Sequence, residues 1–329
     1  MRRKKRLMAL ALLLCALLLT GCAAKGSGGE EVIPEGEARS GKPVLPARLR
    51  LNGDGVPELR VYVADEEESR TMDAETYLMG VLAGEMKNDW PLEALKAQAI
   101  LARTFVMKFC SEKQSKYPQA DISTDVEEAQ AYDFTGVNER VERAVNETRG
   151  LVLSYHGEFP YAWFHAHSGG VTARAREGLH WEKEEPGYTQ SVPGRDSDSA
   201  PEDARAWRAD FSLDQIISAA GKAGLKGVNE VKSLAVGERG ESGRAVTILI
   251  NGEAVSAPEL RLALGSSKMR STLLTSLAIR EDRAVMAGKG YGHGVGMPQW
   301  GAYALAEEGM SAEEIVTYYF RDVTVEKLW

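Results

Sequence analysis

The chain has 329 residues, 43% hydrophobic and 27% charged, a composition that gives a globular protein a sizeable core. Its formal net charge is −8, and five of the 40 basic side chains lie within the first six residues; without them the balance is 35 basic to 48 acidic, net −13. Such a surface excludes a nucleic-acid binder, because neutralising phosphates requires a basic face.

The basic start is followed by an apolar run, Leu7 to Leu19, and by Leu19-Thr20-Gly21-Cys22. This is the layout of a secretory signal, too short for a membrane span. The small-residue site ending in Cys resembles a bacterial lipobox, in which Cys22 takes the lipid and becomes the mature N-terminus; an uncleaved helical anchor is the alternative. Either reading puts the remainder outside the cytoplasm, attached to the cell membrane. Cys15 lies within the signal, so Cys110 is the one body cysteine, which rules out an intramolecular disulfide and a cysteine-rich zinc site.

Residues 23–46 are rich in Gly, Glu, Ser and Pro and read as a flexible linker. Residues 47–329 then read as one catalytic domain. Alternating apolar residues in Ala47 to Leu51 and Glu58 to Val63, around Asn52-Gly53-Asp54-Gly55, predict a hairpin. Asp73 N-caps a first helix ending near Gly84-Glu85-Met86. Pro91 opens a second, reaching about Phe109, with Leu92, Leu95, Ala99, Ala102, Val106 and Phe109 on one buried face. A polar stretch and a short helix after Glu139 come next. Strands are predicted at Leu151 to Tyr155, Tyr161 to His165, Ser233 to Val236 and Ala245 to Ile250, the last turning at Asn251-Gly252. Gly194 to Ala206 reads as an exposed loop. Gly288, Gly290, Gly292, Gly294 and Gly296 alternate with other residues, which predicts an extended segment bare on one face and open to close approach. Pro298 opens a helix that Gly309 closes, and Ser311 with Glu314 forms a capping box for a last helix. The fold class is α+β, mixed helices and antiparallel strands around a substrate cleft.

Three segments carry candidate chemistry: Tyr77 to Met86 with Trp90 to Thr104, then Phe164-His-Ala-His-Ser-Gly-Gly170, and Gly290-Tyr-Gly-His-Gly-Val-Gly-Met-Pro-Gln-Trp-Gly-Ala302. Together, from residue 47 to the C-terminus, they resemble the stage II sporulation protein D family, which includes amidase-enhancer relatives. The resemblance implies a lytic transglycosylase that cleaves peptidoglycan glycan strands already stripped of stem peptides. It also implies a cell-wall amidase and a membrane partner of the engulfment machinery in a sporulating cell. The family's catalytic glutamate falls on Glu85. Gln98 and Arg103 become candidates to hold Glu85 or bind sugar hydroxyls. His165, Ser168, Gly169, His293 and Gln299 become candidate walls of the cleft, with Ser168 equally readable as a turn residue. Some relatives hold zinc with His and Cys near Ser-Gly-Gly; no Cys follows Cys110, so a zinc site here would need three histidines or carboxylates, with His165, His167 and His180 the candidates, and no metal is expected. Nor is a nucleotide cofactor, because the glycines align with neither Gly-x-Gly-x-x-Gly nor a P-loop.

Physically, a carboxyl at a helix C-terminus meets the negative end of the dipole, which raises its pKa and keeps a proton available for a glycosidic oxygen. In a lytic route the carboxylate then deprotonates the sugar's own hydroxyl, leaving a 1,6-anhydro end, so one glutamate suffices. A non-catalytic, peptidoglycan-binding enhancer of an amidase is the alternative.

Overall fold

The computed structural model describes residues 41–329. The signal, Cys22 and most of the linker lie outside them. The expected hairpin forms, though its first strand is only Arg50–Leu51, paired antiparallel with the start of Pro57–Val63. The sheet is completed by Glu68–Asp73, antiparallel to Pro57–Val63, and by Ile122–Ser123, which pairs parallel.

Helix α1 (Ala74–Glu85) starts where the sequence places it, with the Asp73 side chain accepting from Thr76 N at 2.9 Å. Helix α2 (Leu92–Glu112) follows Pro91 and outruns the expected end by three residues. It is also buried nearly all round rather than along one stripe. Its apolar side chains pack against α1, the helices Glu139–Glu147, Gln299–Glu307 and Ala312–Tyr319, and the strand Leu151–Ser154. A helix so enclosed needs its polar groups matched inside the protein.

Arg103 shows how. It is fully buried, and its Nη2 lies 2.6 Å from Glu75 Oε2 on α1. Gly150 N and Trp329 Nε1 each donate to Glu75 Oε1 at 3.0 Å, and Arg103 Nη1 reaches the Leu151 carbonyl at 3.0 Å. One buried ion pair thus ties α1, α2, a strand and the C-terminal residue together.

A second hydrophobic core gathers Trp207, Phe211, Ile216, Ile248, Leu260 and Met286. Around it lie a sheet ordered Leu274–Arg280, Arg283–Lys289, Ala206–Ser212 and another of Leu234–Val236, Thr247–Ile250 and Glu253–Ser256. The Asn251-Gly252 turn is present, both residues at positive φ. The chain enters this module at Ala206 and leaves it at Lys289, where Gly290 N donates to the Arg205 carbonyl at 2.9 Å. Gly194 to Ala206 is not simply an exposed loop: Asp196 is turned inward, and Ser197 N donates to the Trp300 carbonyl at 3.1 Å. Near the C-terminus the Ser311–Glu314 capping box forms as expected. The whole is α+β.

Arg103→Ala should strand the Glu75 carboxylate in the core. Loss of such a partner costs ~3–5 kcal/mol, so chemical denaturation should show a loss of that size, and near-normal stability would contradict the clamp.

Candidate active site

Glu85 is the last residue of α1 and is 5% exposed. Its Oε1 accepts from Ala131 N at 2.7 Å, and its backbone carbonyl accepts from Gln299 Nε2 at 3.1 Å. Burial pushes the carboxyl from its ordinary 4.5 up to about 8, against the Ala131 hydrogen bond, which works the other way. A neutral acid at the helix end is what the sequence predicts, but the cause is removal from water rather than the helix dipole.

The Ala131 N–H arrives by close approach. Gly80 and Gly84 sit one turn apart on α1. A Cβ on Gly84 would stand 2.6 Å from Tyr132 N, and one on Gly80 would overlap the Tyr132 ring. Asp133 N donates to the Gly80 carbonyl at 2.9 Å, so the segment runs antiparallel to the helix and delivers residue 131 to Glu85. A backbone donor has no side-chain signature, and the sequence reasoning missed it. Two glycines inside a helix, each costing ~1 kcal/mol against Ala, are the signal that was available.

Beside Glu85, Phe164–His165 pairs parallel with Met297–Pro298, and Trp300 N donates to the Ala166 carbonyl at 3.0 Å. These contacts bring His165, Gln299 and Glu85 to one end of α1. Trp90, Trp300 and Tyr303 cluster next to them, with ring centroids 4.4 to 5.3 Å apart. His165 Nδ1 lies 3.1 Å from the Val295 carbonyl, its Nε2 has no partner among the described residues, and its ring stands 5.6 Å from that of His293. Burial holds both imidazoles neutral, His165 well below its usual range and His293 at about 3. His293 Nδ1 accepts from Val295 N at 3.0 Å, so it supports the backbone from inside instead of projecting into a cleft.

Other expectations need correction. Arg103 does not hold Glu85, because its guanidinium is spent on Glu75. Ser168 takes the second of its two readings, a turn residue: it is fully buried, its hydroxyl accepts from Gly170 N at 2.9 Å and donates to Asp196 Oδ2, and its N–H donates to Asp196 Oδ1. Gly169 has φ +78° and lies against the backbone of Gly290, so it serves packing. Gln98 is buried in α2, with neither amide atom partnered among the described residues.

The glycine run is not an extended floor. Gly290, Gly292, Gly294 and Gly296 have φ between +70° and +117°, a conformation that side chains resist. A Cβ on Gly292 would stand 2.5 Å from His165 Cβ, and one on Gly294 equally close to Arg244 Nε. Arg244 is fixed in turn: it is fully buried, donates to the Ser168 and Val171 carbonyls, and bonds Ser242 Oγ at 2.9 Å. The glycines therefore let the histidine segment, the second-core module and the run itself interlock. Among the described residues, no group of three or more His, Cys, Asp or Glu is placed to hold a metal ion.

The stage II sporulation protein family matches residues 63–155, which contain α1, α2 and the segment that reaches Glu85. A domain of unknown function matches residues 182–296. The stage II sporulation protein D of Bacillus subtilis is 28% identical over 335 residues, covering 97% of this chain and 93% of that protein. Residues 63–155 thus carry a stage II sporulation protein domain, and the chain resembles stage II sporulation protein D over most of its length. An uncharacterized protein of Brachyspira hyodysenteriae is 29% identical over 77% of the chain and 67% of its own length. The amidase enhancer of B. subtilis is 28% identical over 75% of the chain but only 40% of its own, longer sequence.

Two measurements check this geometry. Gly294→Val should chiefly lower the melting temperature, by roughly ten degrees or more given a clash with a fixed side chain; a folded variant of unchanged midpoint would restore the cleft floor. Because the folded pKa of Glu85 lies above its ordinary value, its contribution to stability is complete below about pH 4.5 and is lost as pH rises to about 8. Glu85→Gln should therefore melt like the parent near pH 4 and a few degrees higher at pH 8. A difference independent of pH would place the carboxyl in water.

Proposed function

We propose that this chain is a peptidoglycan lytic transglycosylase acting on peptide-free glycan strands, with Glu85 as both acid and base. One observation carries the reading: a carboxyl out of water, held by a single backbone N–H at one oxygen and raised to about 8. A neutral acid at physiological pH can protonate a glycosidic oxygen, and proton transfer of this kind contributes ~10²–10⁴-fold. The carboxylate left behind takes the proton of the sugar's own hydroxyl, which closes a 1,6-anhydro ring and returns Glu85 to its starting state. Attack comes from within the substrate, so neither a second carboxylate nor water is needed. The neighbouring imidazoles, held neutral by burial, leave Glu85 as the group able to give a proton at that pH.

The family likeness supports a cell-wall role in sporulation. Attachment to the outer side of the membrane through Cys22, and work beside a cell-wall amidase, belong to the same proposal. The similarity to an amidase enhancer favours a second reading, in which the chain binds glycan and stimulates a partner without cutting.

Purified protein on peptide-free strands separates the two. Mass spectrometry should find 1,6-anhydro ends without any amidase, at a rate level below about pH 8 and falling above it as Glu85 ionises. Glu85→Gln should abolish the product while keeping glycan binding. Cleavage by that variant, or activity only when an amidase is added, would overturn the enzymatic reading.

A further inference from the structure

The strand Ala206–Ser212 lies at the edge of its sheet: it pairs with Arg283–Lys289 on one side and, among the described residues, with no strand on the other. Which of its peptide groups are left over follows from the neighbouring hairpin. Arg280 pairs with Arg283 across the turn Glu281-Asp282, and a pair closing so short a turn exchanges both its peptide hydrogen bonds. Alternation then turns Ala284, Met286 and Gly288 toward Phe211, Ala209 and Trp207, and it leaves the N–H and C=O of Arg208 and Asp210 facing outward. Neither N–H, nor the Arg208 carbonyl, has a hydrogen-bond partner among the described residues, and the Asp210 carbonyl has Arg283 Nη2 at 3.5 Å.

An open groove of about 480 Å³ runs along this edge. Every residue from Ala206 to Asp210 lines it, those that face the core and those that face away alike, so the strand's own edge forms one wall; Lys268 and Arg270 stand on the other. Its lining carries four basic side chains against two acidic ones, in a chain of net charge −8. Arg270 is paired with Asp203 at 2.9 Å and Arg283 with Asp210 at 2.5 Å, whereas Arg208 and Lys268 are exposed and have no ion pair among the described residues. A bare edge repeats donor and acceptor at the spacing of an extended chain, and another strand matches that repeat residue for residue. Basic side chains on an edge ordinarily keep like edges apart, and two copies of this one would bring Arg208 and Lys268 of both together. The same charges admit a strand of opposite sign. We propose that this groove takes an extended acidic segment of a partner protein as an added strand, with Arg208 and Lys268 meeting its carboxylates. The surface is separate from Glu85 and does not rest on the glycan-cleaving reading.

The experiment uses the full chain carrying Glu85→Gln, so that any glycan added stays intact. The probe is a short capped peptide of alternating valine and glutamate, and its control has lysine in place of glutamate. The glutamate peptide should bind, and binding should slow amide hydrogen exchange at Arg208 and Asp210. An added strand turns one of its edges to the protein and the other away. Methylating the glutamate nitrogens or the valine nitrogens should therefore weaken binding about tenfold in one case, the scale of one or two lost hydrogen bonds, and little in the other. Arg208→Ala together with Lys268→Ala should weaken it about fivefold, the scale of two exposed ion pairs, without moving the melting temperature. Equal binding of the lysine peptide, equal effects of the two methylations, or no binding at millimolar concentration would overturn the assignment. So would two other occupants, each visible in the same measurements. A concentration-dependent dimer that protects the Arg208 and Asp210 amides would give the edge to a second copy, and displacement of the peptide by peptide-free glycan strands would give the groove to glycan.

Discussion

The chemistry of this chain depends on a backbone segment lying flush against a helix. Gly80 and Gly84 remove the two side chains that would hold Ala131 and Tyr132 away from α1, and the N–H delivered in this way bonds one oxygen of Glu85. With Oε1 committed as acceptor, the proton of the neutral carboxyl belongs on Oε2. The acid is thereby oriented as well as kept protonated. Desolvation outweighs the hydrogen bond in setting its pKa, so the site remains a proton donor while gaining a fixed geometry. Gln299 adds a second tie, through the backbone of Glu85 rather than its carboxyl, which leaves the titrating group undisturbed.

The rest of the molecule holds that arrangement still. The Glu75–Arg103 pair sits at the opposite end of α1 from Glu85 and binds the helix to α2, Gly150 and Trp329. At the acid's end, the histidine strand and Met297–Pro298 bring Gln299 into reach. Arg244 joins the two hydrophobic cores, donating from the second module to the carbonyls of Ser168 and Val171, with Gly294 against its guanidinium. Its charge is carried by carbonyls, a hydroxyl and the nearby Glu177 and Asp196, whose field partly offsets the cost of burying it. The histidines beside this seam are dry and neutral, so they act as shaped hydrogen-bonding blocks and not as charges.

Some of the sequence reading failed for one reason. From sequence, Arg103, His293 and the glycine run, all in motif segments, fall on the substrate side, while Ser168 is open between substrate and turn. The structure gives most of them to the protein: Arg103 to Glu75, Ser168 to Asp196, His293 to its own loop and Gly294 to Arg244. A polar residue in a motif either faces the ligand or keeps the ligand-facing groups in place, and residue type does not distinguish the two. The partners that decide it, Glu75 and Asp196, lie 28 residues from Arg103 and Ser168, respectively.

What the sequence determined by itself was local. Asp73 and Ser311 set helix starts because caps act within one turn, Asn251-Gly252 set a hairpin because positive φ is a property of those residues, and Glu85 was placed at a helix end because α1 stops there. The mixed α+β class followed from those periodicities. Tertiary structure alone decided that α2 is enclosed on nearly every side, that a second core forms between Ala206 and Lys289, and that the alternating glycines are kinked packing contacts. It also decided why Glu85 keeps its proton. Dipoles can be read from a helix boundary, but desolvation depends on which distant segments close over a group, and even the Ala131 N–H that opposes it comes from 46 residues away along the chain.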